Sequence, residues 1–396
     1  MVNVLKILII TGFFPPRKYG GVTTISYLVA KKLRTKGHEV TIFTTDVGNS
    51  PRSRLKVRKV EIIDGVQVYY FKNLSNLLAF KHHIILPLEI FSALKCVTYY
   101  DIVHFNEFRN LYDVLIGSYA ERHNIPYIVQ THGSLPRVGT KRFLQYFYDV
   151  LLGYRFLRHA SGVIALSDFE KKQYEHIGVP SNNINIIPNG IDLSEYVPLP
   201  PKGMFKQKFG IPENKKIILF LGRVHKSKGI DLLIKAYAYL VKRIGCEDAF
   251  LVIAGPDDGY LGVAKSLVNC LGISKSVLFT GFISREDKIR ALVDSEVFVT
   301  PSFYGFPVTF LEACAAGTPI VSTNLGDSLE WINNNTGYIT QPKPDTLAKA
   351  IYKIIKNEDL RRRFSRNCLK MINNEFSIEK TVSKLEEFYE KILRGK

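Results

Sequence analysis

The chain has 396 residues, 46% hydrophobic and 23% charged, a globular balance long enough for two domains that each bury a core. Fifty-four Lys and Arg against 36 Asp and Glu give a net charge of +18. That excess fits polyanionic company (nucleic acid, anionic lipid or phosphate-bearing small molecules) and equally a solvated basic surface. The five cysteines, at 96, 246, 270, 314 and 368, are odd in number and form no CxxC pair, which argues against a disulfide frame or a zinc site and for reduced thiols in the cytoplasm.

MVNVLKILII opens the chain and runs into TGFFPPRKYGG without a small-residue cleavage site, so it reads as a buried parallel strand rather than a signal peptide. No apolar run reaches the ~18 residues of a membrane-spanning helix. The helical run TTISYLVAKKLRTKG follows, then strands in HEVTIFTT, GVQVYYFK and YDIVHFN, the helix NLYDVLIGSYAERHN, and strands in IPYIVQTHG and ASGVIALS. Strands alternating with helices imply a parallel sheet with crossover helices. Residues 189 to 216 carry prolines and turns and read as a linker. A second series then starts: KIILFLGRV, a helix near 230 to 244, AFLVIAGPD, SVLFTGFIS, EVFVTPS and TPIVSTN. The chain therefore reads as two similar open α/β domains. Ligands of such sheets bind beyond the carboxyl ends of the strands, where the loops with unusual residues fall.

In FLGRVHKSKGIDLLIKAY, Arg223 and Lys228 lie between a strand and a helix. Two cations beside a helix N-terminus suit a diphosphate; a solvated basic turn is the plainer alternative. In SFYGFPVTFLEA, Gly305 frees the turn and the N–H groups of Phe306, Val308 and Thr309 can face an anion, whereas Pro307 has none. Glu312 is expected on the first turn of the next helix, there to accept from ribose hydroxyls or merely to suit the helix dipole. Gly20 and Gly21 permit close approach of a phosphate or sugar, but they are not part of a GxGxxG, which disfavours a nicotinamide cofactor. His132, in THGS, sits at a strand end where it is either a ligand contact or structural.

Taken together, Gly20-Gly21, His132, SDFEKKQYEHIGVPSNNINIIPNGID, GRVHKSKG, AGPDDG, Gly281-Phe282 and GFPVTFLEACAAGTPIV resemble the retaining nucleotide-sugar glycosyltransferases of family 4 over nearly the whole chain. The resemblance implies the GT-B fold, two Rossmann-like α/β domains facing across a cleft. The domains would be an acceptor domain, 1–195, on which a C-terminal helix at about 377–396 packs back, and a nucleotide-sugar domain, 196–376. It implies that Arg223 and Lys228 hold the pyrophosphate of a UDP- or GDP-sugar, Glu312 the ribose, and the backbone at Phe282 and Ile283 the base. Gly20 and Gly21 would close on the phosphates, His132 would touch the transferred sugar, and Asn189, Gly190 and Asp192 would form the hinge signature. Two departures stand out. Tyr304 occupies the place of the family's first glutamate, eight positions before Glu312, and Asp327 that of a glycine, whereas Glu330 matches the family's acid.

Transfer with retention is then expected by a same-face route, with the leaving phosphate stabilised by Arg223 and Lys228. No cofactor or metal is expected, since no DxD stands at a strand end and PDD at 256–258 reads as a surface turn. The acceptor would be a glycan or a lipid-linked sugar. TKRFLQYFYDVLLGYRFLRH, with Lys141, Arg142, Arg155 and Arg158, and LLAFKHHIILPLEIFSALKC suit peripheral attachment to an anionic membrane surface, or ordinary core helices with basic edges. A nucleic-acid binder is disfavoured by the absence of a helix-turn-helix or RRM pattern. A non-catalytic nucleotide-sugar sensor and a sugar-nucleotide epimerase of similar architecture are the alternatives.

Overall fold

A computed structural model describes residues 4–395 apart from 18–19, 49, 51–52, 83, 138–141, 304–305, 325–331 and 333. It divides into two compact units, residues 1–190 with 378–396, and residues 191–377.

The first unit is built on eight strands: β1 (Lys6–Ile10), β2 (Glu39–Thr45), β3 (Val60–Ile63), β4 (Val66–Phe71), β5 (Ile102–Phe105), β6 (Tyr127–Gln130), β7 (Gly162–Ala165) and β8 (Ile184–Ile186). Their order is β3-β4-β2-β1-β5-β6-β7-β8, parallel throughout except for β3, which pairs antiparallel with β4 at the edge. Both faces are covered, so β1 and β5 to β7 are unbroken apolar or buried runs. β3 escapes that pattern, with Val60 and Ile62 exposed, because nothing covers an edge strand.

Six strands form the second unit: β9 (Lys216–Leu221), β10 (Ala249–Ala254), β11 (Val277–Gly281), β12 (Ser295–Thr300), β13 (Ile320–Thr323) and β14 (Gly337–Thr340). All run parallel in the order β11-β10-β9-β12-β13-β14. The pleat of β9 splits its residues between two cores: Ile218 and Phe220 join one, Ile217, Leu219 and Leu221 the other. Residues 191–216 are no loose linker. They hold the helix Met204–Phe209 with Phe205 fully buried, and Asp294 accepts from the N–H groups of Phe205 (2.8 Å) and Lys206 (3.0 Å). Two helix N–H donors, and that of Gly203 just before the helix, satisfied by one buried carboxylate explain why this Pro- and Gly-rich stretch is ordered.

The helix Ile378–Arg394 belongs to the first unit. It buries Ile378, Val382, Leu385, Phe388 and Tyr389, the three-four spacing of an amphipathic stripe. Gly162 on β7 makes room for it: a Cβ there would lie 2.4 Å from the Phe388 ring. Polar ties add to the packing. Tyr389 shares a hydrogen bond with His104 Nδ1 (2.7 Å). His38 Nδ1 accepts from Leu5 N–H (3.1 Å), so its Nε2 carries the hydrogen that Glu386 accepts (2.9 Å), while Lys36 pairs with the other Glu386 oxygen. Glu386→Ala would leave buried His38 without an acceptor, so urea unfolding is expected to show a loss of about 1–3 kcal/mol. Exposed Glu387→Ala on the same helix is the control; equal losses would deny the network a role.

Candidate active site

In the second sheet the chain leaves β9 toward β10 and β11, then returns to β12 on the other side. The crevice beyond the carboxyl ends of β9 and β12 is the switch point at which such sheets take ligands. Backbone packing at this end is unusually close. A Cβ on Gly255 would stand 1.9 Å from the Gly222 carbonyl oxygen, and Gly222 and Gly255 adopt φ 157° and 147°. Gly222 N–H donates to Ala254 (3.0 Å) and Gly255 N–H to Gly281 (2.8 Å). Glycine is required for this approach.

Arg223 leaves β9 at this point, exposed and paired with Asp258. Asp257 accepts from the N–H groups of Gly259 (3.0 Å), Tyr260 (3.1 Å) and Leu261 (3.0 Å), and so starts the helix Leu261–Cys270. Among the described residues no group of three His, Cys, Asp or Glu side chains could hold a metal ion. His225 caps a short 3-10 turn, Lys226–Lys228, by accepting from Ser227 N–H (3.1 Å). Gly229 (φ 68°) turns the chain into the helix Ile230–Lys242, and a Cβ on it would meet Pro301 at 2.9 Å, so this loop packs on the one after β12. Lys228 is half-buried, and burial together with the charge of Arg223 lowers its pKa. Among the described residues it has no carboxylate partner. A partly desolvated ammonium beside a second cation and a helix N-terminus is poised for an anion.

After β12, Tyr304 and Gly305 lie outside the described residues, as do Lys141, Asp327 and Glu330. Phe306 is half-buried, its ring centroid 5.4 Å from that of Phe376. Pro307 ends the loop and Val308 opens the helix Val308–Ala315. Glu312 is therefore on the second turn, not the first as expected. The helix begins directly behind Pro307, at Val308, which makes Glu312 its fifth residue. Glu312 is buried, and Lys288, from the helix Arg285–Asp294, neutralises it. Tyr196 is buried beside it: burial and the Glu312 charge push the phenol pKa up, and its hydroxyl has no hydrogen-bond partner among the described residues. Phe282, exposed, and Ile283, half-buried, form the loop between β11 and the Lys288 helix, which Ser284 caps by accepting from Asp287 N–H (3.0 Å).

In the first unit the corresponding switch point lies between β1 and β5. Gly20 (φ 131°) precedes the helix Gly21–Thr35, whose first turn has no acid. Asn106, after β5, donates to Ser26 on that helix (2.8 Å) and lies 3.3 Å from His132 Nε2. His132 itself takes a left-handed φ of 50° after β6. Its turn is held by Glu170, which accepts from Thr131 Oγ1 and Gly133 N–H, both at 2.7 Å. Burial lowers the His132 pKa to about 3, so the imidazole is neutral at pH 7. Sequence reading did not single out Glu170, Lys288 or Tyr196. Lys288 had one visible signal: it falls four residues before buried Leu292, on the apolar stripe of its helix. Thus Arg223 and Lys228 share one loop, packed on Pro301 and Ser302 after β12, Glu312 gathers Lys288 and Tyr196, and Gly20, Gly21 and His132 belong to the first unit.

The model for "Glycosyl transferases group 1" matches residues 202–371 and that for "Glycosyltransferase Family 4" matches residues 19–195. An uncharacterized glycosyltransferase of Methanocaldococcus jannaschii is 28% identical, covering 94% of this chain and 95% of its own. The Escherichia coli UDP-Gal:alpha-D-GlcNAc-diphosphoundecaprenol alpha-1,3-galactosyltransferase is 27% identical, covering 73% of this chain and 75% of its own. Among solved structures, Anabaena HepE in complex with UDP and glucose superposes with a TM-score of 0.76 at 19% identity, covering 97% of this chain and 98% of that one. Matched by two glycosyltransferase models, one on each unit, and sharing the fold of Anabaena HepE along nearly its whole length, the chain is a glycosyltransferase of the GT-B fold.

Proposed function

We propose that the protein transfers a sugar from a UDP- or GDP-sugar to a glycan or lipid-linked acceptor, with retention at the anomeric carbon. The observation that carries this reading is Lys228: a half-buried ammonium with no carboxylate partner among the described residues, next to Arg223 and a helix N-terminus at the switch point. A nucleoside diphosphate supplies the missing negative charge. As the sugar–phosphate bond breaks, charge grows on the leaving phosphate oxygen, and both cations stabilise it more in the transition state than in the ground state. The acceptor oxygen bonds to the anomeric carbon on the same face, and its proton passes to that phosphate oxygen. The route needs no glutamate at position 304, where Tyr304 would read the donor sugar.

The remaining roles follow the family resemblance. Glu312 accepts from the ribose hydroxyls, the backbone at Phe282 and Ile283 meets the base, and Gly305 to Val308 and Gly20-Gly21 border the phosphates. Neutral His132 donates to, or accepts from, a hydroxyl of the transferred sugar. A lipid-linked acceptor is supported by the surface of the first unit. Phe143, Leu144, Tyr146, Phe147, Val150 and Leu151 are all exposed along the helix Arg142–Tyr148 and the π-helical turn Asp149–Gly153, with Arg142, Arg155 and Arg158 beside them. Aromatic and basic residues together suit an anionic lipid surface. Residues 77–96 do not extend this as one helix; they break into Asn76–His82, Ile90–Ala93 and a 3-10 turn, Leu94–Tyr99. The name of the E. coli relative, which includes a diphosphoundecaprenol acceptor, supports the same class of acceptor. No helix among the described residues is long and apolar enough to cross a membrane.

Arg223→Ala is expected to lower kcat/KM by roughly 2.7–4 kcal/mol, the cost of losing one charge-stabilising donor, with a smaller loss of nucleotide affinity. Full activity would remove Arg223 from the diphosphate. Because His132 is held neutral, its ring proton signals should not titrate between pH 5 and 8, and no acid limb near 6.5 should come from it in the pH–rate profile. Its folded pKa lies below the unfolded value, so it costs stability as pH falls through about 6.5 and none above. A titration midpoint near 6.5 by NMR would show a solvated ring. Replacing Arg142, Arg155 and Arg158 by serine should release the protein from anionic vesicles, each charge being worth about 1 kcal/mol at the surface. Wild type that ignores such vesicles at low salt would point to a water-soluble acceptor.

A further inference from the structure

We infer that Lys288 recognises the donor ribose together with Glu312, donating to the oxygens of the vicinal diol while the carboxylate accepts from its hydroxyl hydrogens. The inference rests on the reading of Glu312 as the ribose carboxylate.

A ribose diol presents two O–H donors and the lone pairs of the same two oxygens. A carboxylate is acceptor-only, so Glu312 alone satisfies half of this inventory. The ammonium of Lys288 has three N–H donors, of which the ion pair with Glu312 Oε1 engages one. Its two remaining donors have no acceptor among the described residues, and the Lys288 side chain is 23% exposed against 5% for Glu312, so the cation stands on the open side of the pair. Tyr196 supplies an independent observation. The residue is 3% exposed, its hydroxyl lacks a hydrogen-bond partner among the described residues, and it lies close enough to feel the Glu312 charge. A buried hydroxyl left unpaired beside an ion pair is a polar group still open to a further partner.

The position of Lys288 agrees. Its helix follows directly on Phe282 and Ile283, the loop proposed for the base, and it packs against the helix that carries Glu312. A site that hydrogen-bonds a hydroxyl rejects analogues lacking it, because its own polar groups are then left unpaired.

The test is calorimetric binding of UDP and GDP, and of their 2′-deoxy and 3′-deoxy counterparts, to the full chain. Wild type is compared with Lys288→Met, Lys288→Arg and Glu312→Gln, each first shown to melt within a few degrees of wild type. Wild type should prefer the ribonucleotide over a deoxy counterpart by about tenfold or more. Lys288→Met should weaken the ribonucleotide by about tenfold, leave the deoxynucleotides nearly unchanged and so collapse the preference, and Lys288→Arg should restore most of it. If Lys288→Met weakens all nucleotides equally, or keeps the preference intact, Lys288 does not read the diol and the inference is overturned. The two failures differ. Glu312→Gln with unchanged affinity and preference sinks the ribose reading of Glu312 and this inference with it. Loss of preference in Glu312→Gln but not in Lys288→Met sinks this inference alone. If wild type binds neither UDP nor GDP, both fall.

Discussion

The carbonyl of Gly222 stands where a side chain on residue 255 would have to be, and most of the candidate donor site depends on that contact. Here Gly222, Gly255 and Gly281 let three neighbouring strands keep exchanging backbone hydrogen bonds past their last side chains. The loop from β9 then starts at a fixed height, and Arg223 emerges from backbone that cannot shift without breaking the ladder. Gly229 repeats the device on the other side, seating the turn against Pro301. In the proposed transfer these cations meet a growing negative charge, and such groups must be placed before it forms, since movement during reaction would cost part of what they contribute. Rigid glycine contacts are a direct way to do so.

The electrostatics of the site divide along the same line. Arg223 and Asp258 form a solvated pair that is weak by itself and easily exchanged for a stronger anion. Lys288 and Glu312 form a buried one, where removing either partner strands a charge. The first pair suits a ligand group that arrives and leaves with each turnover; the second suits a permanent feature of the pocket wall.

The fold was legible because buried parallel strands read as short apolar runs. β1, β9, β10 and β12 announced themselves, and so did the strand–loop–helix alternation. β3, β8 and β14 did not: β3 is an exposed edge, and β8 and β14 are three- and four-residue, partly exposed strands. The helix Met204–Phe209 hid in a Pro-rich stretch because its order comes from Asp294, far along the chain. Arg223, Lys228 and His132 were visible since each stands at a strand end. Lys288 and Glu170 were not, because their partners lie 24 and 39 residues away and no local pattern encodes such a pairing. Glu312 falls on the second turn and not the first because the helix opens at Val308, directly behind Pro307, rather than at Thr309.

The helix Ile378–Arg394 carries a consequence for biosynthesis. The whole second unit is inserted between Gly190 and Ile378 of the first. A ribosome therefore delivers β1 to β8 long before the helix that covers Gly162 and partners His38 and His104. Domains generally fold as units in the order of their synthesis, and this chain reverses that order: the unit begun second has all its residues first. The nascent first sheet must wait with the strip around Gly162 uncovered while the second unit is completed, so the apolar surface left open longest during synthesis belongs to the first core and not to the second.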